Sequence, residues 1–221
     1  MKLSLRSHSQ SADAGYIRRR NESNIIESAE IEFAAHGFSG ASIQMIANRA
    51  GIPKANVHYY FKSKLELYAA VLSRILDLWD TVLQDLHADD DPAEALPSYV
   101  RSKIEFSKQY PHASRVFANE ILGGAQQIRE YLSDGYVEWF NERIAVFAAW
   151  MAQGKIRKMP PAHLMFLLWS TTQHYADFSV QIGAALGRRN FQLLEKDYKD
   201  AVSTVTDVIL LGCGLPAQSS Q

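Results

Sequence analysis

The run IQMIANRA-GIP-KANVHYYF, residues 43–61, constrains this chain more than any other stretch. Two helix-forming segments of about two turns each flank Gly51 and Pro53. A glycine just past one helix and a proline in the first turn of the next end and restart a helix within a few residues. Ser42 is placed to cap the first segment, where Ile43, Ile46 and Ala47 share one side. A pair of short helices with so tight a turn has helix-turn-helix proportions. In such a unit the first helix braces across the duplex backbone, and the N-terminal part of the second lies in the major groove. The side chains offered by the second are Lys54, Asn56, His58, Tyr59 and Tyr60, with Ala55 and Val57 small enough to permit close approach. Phe61 is expected in the core and Tyr60 partly so, which leaves Tyr59 as the better phosphate contact. Spacing alone fits a helical hairpin inside a packed domain equally well.

The flanking sequence extends the helical reading. Ile25, Ile26, Ala29, Phe33 and Ala34 form one stripe of a helix that stops before Gly37. Ser63 and Glu66 make a capping box that opens a helix running to about residue 86. Residues 1–20 are polar, Ser-rich and aperiodic, so a disordered basic tail is expected there. It ends in Arg18, Arg19 and Arg20, either a solvated charge run or an arm that reaches a phosphate or the minor groove. Downstream, Pro111, Gly123-Gly124, Gly154 and Pro160-Pro161 divide the chain into helices near 93–110, 112–122, 125–153, 161–185 and 191–212. No segment alternates with period two, so no sheet is expected. The expectation is an all-α fold of about nine helices. It has a DNA-binding head at 21–65, a ligand-binding and dimerisation domain at 66–215, and a short tail at 216–221.

Composition narrows the classes. The chain of 221 residues contains one cysteine, Cys213, which excludes an intrachain disulfide and a cysteine-cluster metal site. No run of about 18 apolar residues is present, and the N-terminus lacks the apolar core of a secretory signal, so a cytoplasmic protein without a membrane span is expected. Net charge is −1, yet residues 1–64 hold nine Lys and Arg against five Asp and Glu, while the remainder holds fourteen against nineteen. A basic front and an acidic rear fit a chain whose front meets phosphate. There is no H-E-x-x-H, no Glu-x-x-His pair, no phosphate-cradling glycine loop and no G-x-S-x-G, so no enzyme, metal or cofactor is expected.

In the rear, LMFLLWSTTQHYADFSVQI begins apolar on nearly every helical face, then carries Gln173, His174, Tyr175 and Asp177. Buried polar groups need partners, from the protein or from a ligand. A pocket lined by Trp169 and Tyr175 would suit a small planar molecule. The alternative is an internally satisfied core with a dimer face.

The run GFSGASIQMIANRAGIPKANVHYYFKSKLELYAAVL resembles the N-terminal signature of TetR-family repressors: GF-x-G-T-S, then I-A-x-x-A-G-[VI], then Y-F-x-S-K-x-x-L. Ala41 replaces a common Thr and Pro53 a common Ser, so one backbone contact to phosphate is missing. The resemblance implies that Ser42 and Gln44 anchor the first helix to the DNA backbone, that Lys54, Asn56 and His58 face the groove, and that Tyr59 and Lys64 grip phosphates. PHASRVFANEILGGA and LWSTTQHYADFSVQIGAALG resemble the regulatory domain of the RutR-type subgroup, repressors that sense pyrimidines. That implies uracil or thymine as effector and control of pyrimidine catabolism. Gln173 would donate and accept in the ring plane, Trp169 or Tyr175 would stack, and Arg115 or Asn119 would cover a carbonyl, with Trp79, His174 and Asp177 completing the lining. The family also implies a homodimer through the last two long helices, with Val202, Val205, Val208 and Ile209 along one side, on a pseudo-palindromic double-stranded operator.

Overall fold

Glycines at left-handed backbone angles punctuate the fold. In the computed structural model, which describes residues 6–83, 86–129, 132 and 135–217, the chain divides into two units, residues 1–74 and 75–221.

The first unit holds α1 (Arg6–Gly40), α2 (Ile43–Ala50), α3 (Lys54–Tyr60) and most of α4 (Lys64–Leu83). The regular turns of α1 stop at Gly37 (φ 65°, ψ 175°), where the stripe predicted an end. The disordered tail expected over residues 1–20 is corrected in part: the helix begins at Arg6 and carries Arg18–Arg20, and residues 1–5 lie outside the described set. Extending an existing helix costs far less than nucleating one, so a polar segment leading into a strongly periodic one becomes helical with it. Ser42 Oγ accepts from the Met45 N–H at 3.2 Å to cap α2, and Gly51 (φ 68°) ends it with its N–H on the Ala47 and Asn48 carbonyls. Ile25, Ala29, Phe33, Ile46, Ala47, Val57, Leu67 and Val71 are buried, and Phe33 meets Tyr68 edge-on at 4.8 Å. One buried carboxylate interrupts this core: Glu32 accepts from Arg49 Nε at 2.6 Å. Asn24 Nδ2 donates to the Ala50 carbonyl at 2.9 Å, so α1 also satisfies the C-terminal end of α2. The capping box at α4 takes a variant form, with the Glu66 N–H on Ser63 Oγ and the Glu66 carboxylate on the Lys62 N–H.

The second unit holds α5 (Pro92–Gln109), α6 (Pro111–Leu122), α7 (Tyr136–Ala152), α8 (Pro161–Asp177), α9 (Ser179–Ala185), a 3-10 turn (Arg189–Phe191) and α10 (Glu195–Cys213). Among the described residues there is no strand, and no helix is long and apolar enough to cross a membrane. Three predicted helices are corrected. The one placed at 125–153 is interrupted: Gly124 (φ 88°), Ala125 (φ 55°) and Gly135 (φ 74°) are left-handed, Arg129 and Leu132 are helical, and the long helix starts at Tyr136. The one placed at 161–185 breaks at Phe178 (φ −113°, ψ 21°), although residues 162–182 hold neither glycine nor proline. The last begins at Glu195 rather than 191, since Asn190 and Phe191 are themselves left-handed.

The core of this unit joins Leu96, Val100 and Ile104 of α5, Leu164, Met165 and Leu168 of α8, and Ile209, Leu210 and Cys213 of α10, with Phe147 and Trp150 of α7. Each such side chain, fully buried, contributes roughly 1.5–3 kcal/mol. Of the predicted side Val202, Val205, Val208 and Ile209, Val208 is exposed and Val202 and Val205 are half-buried, whereas Ile209 points into the core and Leu211 is exposed.

Candidate DNA-binding and effector sites

Helix α3 is one-sided. Of its seven residues only Val57 is buried, at 0% exposure, so Val57 seats the helix and does not face the groove as expected. Lys54, Ala55, Asn56, His58 and Tyr59 project outward, Tyr59 with 73% of its surface exposed. Tyr60 is half-buried: its hydroxyl accepts from Asn21 Nδ2 at 3.4 Å, and its ring meets Tyr59 edge-on at 5.2 Å. Phe61 is buried. Pro53 occupies the cap position of α3 at φ −59° and supplies no side-chain acceptor.

On α2, Ser42 uses an oxygen lone pair for the cap and keeps its own proton for an outside acceptor. Gln44 is exposed, with Nε2 on Asn48 Oδ1 at 2.9 Å. Lys64 sits differently. Its Nζ donates to the carbonyls of Phe38 at 2.8 Å and Ala41 at 3.0 Å, and lies 4.6 Å from the Phe38 ring centroid. Two of its three donors thus tie the start of α4 to the turn after α1, leaving one for a phosphate. Arg18, Arg19 and Arg20 are exposed on α1. Most of these groups are exposed donors, with Tyr60 and Lys64 half-buried among them.

In the second unit, the outward side of α8 forms a recess of about 350 Å³ lined by Phe166, Trp169, Ser170, Gln173, His174, Asp177 and Phe178. Four of the residues singled out from sequence, Trp169, Gln173, His174 and Asp177, therefore meet. Burial pushes the Asp177 carboxyl above its usual range, opposed by hydrogen bonds from Ser114, at 2.6 Å, and Gln173, and by the charges of His174 and Arg115. Arg115 thus acts on the recess through Asp177. Trp79 packs edge-on against Phe117 at 4.3 Å, away from the recess lining. Tyr175 packs against the core, and Asn119 is exposed on α6.

Sequence reasoning missed Lys103. Only 6% exposed, it holds its Nζ 5.1 Å from the Trp79 ring centroid and 5.9 Å from that of Phe106. Desolvation lowers its pKa to about 8, and the Asp177 charge partly offsets the drop. A signal was present: Leu96, Tyr99, Val100, Lys103, Ile104 and Ser107 form a single helical stripe, and a lysine in an apolar stripe is a buried lysine. Tyr99, buried beside it, is within reach of Trp169. Lys103 links the two sets of predicted residues, facing Trp79 on one side and the Asp177 charge on the other. Among the described residues, no cluster of three His, Cys, Asp or Glu could hold a metal ion.

Residues 25–71 match the family model described as bacterial regulatory proteins, tetR family, and residues 72–216 match that described as YcdC-like protein, C-terminal region. The HTH-type transcriptional regulator RutR of Escherichia coli K12 is 41% identical over 163 residues, which is 74% of this chain and 77% of that protein. The HTH-type transcriptional repressor NicS of Pseudomonas putida is 30% identical over 104 residues, covering 47% of this chain and 49% of its own. A solved transcriptional regulator from Rhodococcus superposes with a TM-score of 0.61 at 20% identity, covering 88% of this chain and 98% of that one, a likeness of fold.

Proposed function

The chain belongs to the TetR family of bacterial regulatory proteins, and from that premise we propose that it is a cytoplasmic homodimeric repressor released from its operator by a planar pyrimidine, with uracil or thymine the leading effectors. It is a regulator rather than an enzyme. On the DNA side, Asn56 and His58 read base edges from α3, and Lys54 and Tyr59 meet the groove wall and phosphates, while Ser42 and Gln44 fix the register of α2 on the backbone. Arg18–Arg20 add phosphate contacts from α1. Lys64 contributes mainly by holding the turn after α1 in place. Two subunits joined through α8 and α10 present two such heads to pseudo-palindromic half-sites.

The observation that carries the effector reading is the recess on α8, with aromatic walls, the Gln173 amide, and Asp177 backed by the buried Lys103. A pyrimidine dione offers carbonyl acceptors and ring N–H donors in one plane. Gln173 can donate to one and accept from another and Trp169 stacks, while Lys103, behind the lining, acts on the recess through the Asp177 charge. A lysine kept among rings is costly to bury without an opposite charge nearby. Similarity to the RutR regulator favours this chemistry over other planar metabolites.

Release follows if the effector binds better to a conformer whose two heads no longer match the half-site spacing. A differential affinity of a few kcal/mol suffices. Helix α4 runs unbroken across residues 74 and 75, and so transmits the change. Thermal unfolding against a panel of nucleobases tests the reading: a ligand at about 100 times its dissociation constant adds about 2.7 kcal/mol. Response to uracil or thymine is expected. Response to a different planar metabolite alone would replace the effector, and silence across the panel would leave a DNA-binding dimer without one.

A further inference from the structure

We infer that each effector recess is closed in the dimer by the partner subunit's Phe191, so that one subunit supplies the polar lining and the other the lid. The inference rests on the proposed dimer through α8 and α10.

Two features of the second unit stay open to solvent among the described residues. The first is the recess itself. Its rim residues Phe166 and Phe178 remain 47% and 48% exposed, Ser170 is exposed beside them, and Gln173 and Asp177 lie half-buried between.

The second is the loop between α9 and α10. Asn190 (φ 54°) and Phe191 (φ 59°) are consecutive non-glycine residues in the left-handed region, a conformation the chain adopts only where its surroundings impose it. Those surroundings are specific. The Phe191 backbone lies so close to Gly183 that a methyl group there would stand 2.1 Å from the Phe191 carbonyl oxygen. The Arg188 N–H donates to the Gly183 carbonyl at 2.8 Å. Arg188 grips Asp197 through Nε at 2.9 Å and again through Nη2, and Asp197 also accepts from the Leu194 N–H at 2.8 Å. Arg188 holds the Asp197 carboxyl below its usual range. The whole brace seats the loop by its backbone and leaves the Phe191 ring 52% exposed, beside exposed Val180, Leu186 and Leu194. A strained, doubly anchored loop that displays an aromatic ring is built to present that ring.

The occupant is a second copy of this chain. Phe178 ends α8 and leads directly into α9, and the loop leads directly into α10, so recess and knob flank the two helices of the proposed interface. A two-fold interface is self-complementary: if one copy's knob meets the other's recess, the reverse contact forms as well. Aromatic rim and aromatic knob then cover each other, and the effector is shut away from water between them.

The test has two arms. In a Cys213→Ser background, Phe191→Cys combined with Ser170→Cys is oxidised mildly and run on a non-reducing gel. A covalent dimer is expected from the double variant and not from either single one. An intrachain bond, or no bond, overturns the inference, and this arm needs no effector. In the second arm, uracil binding is measured by calorimetry on Phe191→Ala and Gln173→Ala homodimers and on their heterodimer. Phe191→Ala should weaken uracil about tenfold while the protein stays dimeric. The heterodimer should recover one wild-type site per dimer, because its intact recess faces an intact Phe191. A heterodimer with no wild-type site would place the lid within one chain and overturn the inference. If the wild-type protein takes up no uracil, the effector reading falls and the cross-link alone decides.

Discussion

The two units solve opposite problems with the same secondary structure. In the first, every apolar side of α2 and α3 turns inward and the functional groups stay in water: Lys54, Asn56, His58 and Tyr59 are exposed, and Val57 behind them is fully buried. In the second, chemistry is taken inside: Lys103 is buried among rings and Asp177 is pushed toward its neutral form. A site for DNA needs only a rigid, one-sided platform, because the phosphates bring the binding energy to it. A site for a small uncharged ring must exclude water and offer its polar groups at fixed places. The head is therefore cheap to build and easy to read, and the body is neither.

The largest expected effect breaks that division at its root. Val57→Asp places an unpaired carboxylate beneath α3 and should cost the head about 4 kcal/mol or more, abolishing operator binding in a gel-shift assay. Stabilisation by uracil should survive, because the proposed effector site lies wholly in the other unit. Loss of both would mean that the units do not fold independently. Next in size, Trp169→Ala and Gln173→Ala should each weaken uracil by about a hundredfold in calorimetry, with operator affinity in its absence unchanged.

The comparison is sharpened by pH. The Lys103 pKa is depressed to about 8 in the folded protein, so between that value and its ordinary 10.5 the unfolded chain binds the extra proton more tightly. Stability from this group is therefore gained as pH rises through that window and is absent below about 8. Effector affinity should run the other way, falling once the ammonium loses its proton. Lys103→Met should flatten both profiles and raise the urea midpoint at pH 7, with uracil bound weakly at every pH. A wild-type affinity that is level from pH 7 to 9 would remove Lys103 from the site.

Smaller effects separate a lysine and an asparagine in the head. Lys64→Ala, which frees the Phe38 and Ala41 carbonyls, should lower head stability by about 1–3 kcal/mol and weaken all DNA alike. Asn56→Ala should leave stability untouched and cost about 1–3 kcal/mol of discrimination between operator and random DNA. Equal losses on both kinds of DNA would move base reading elsewhere on α3.

How legible each region was follows from the same contrast. Ser42, Gly37, Gly51 and Ser63 each fix a helix boundary through a local rule of cap or left-handed turn, so the head could be laid out from sequence nearly residue by residue. The structural tie made by Lys64 was not legible because its two carbonyl partners lie more than twenty residues away in the chain. Ala125 carries no sign of its left-handed backbone, and the break at Phe178 interrupts the helix with no glycine or proline to mark it. In the body, Trp169, Gln173, His174 and Asp177 were legible because one helix carries all four. The burial of Lys103 was marked by its apolar stripe, but its charge interaction with Asp177 was not, because that depends on the packing of α5 against α8.

The central claim is that a ring held on α8 governs the grip of α3 on DNA. Its most direct test is fluorescence anisotropy on a duplex selected by this protein from its source genome, titrated with and without uracil at about 100 times its dissociation constant. The account predicts that uracil shifts the DNA-binding midpoint to at least tenfold higher protein concentration, and that Gln173→Ala abolishes the shift. Unchanged midpoints with calorimetrically confirmed uracil binding would contradict it.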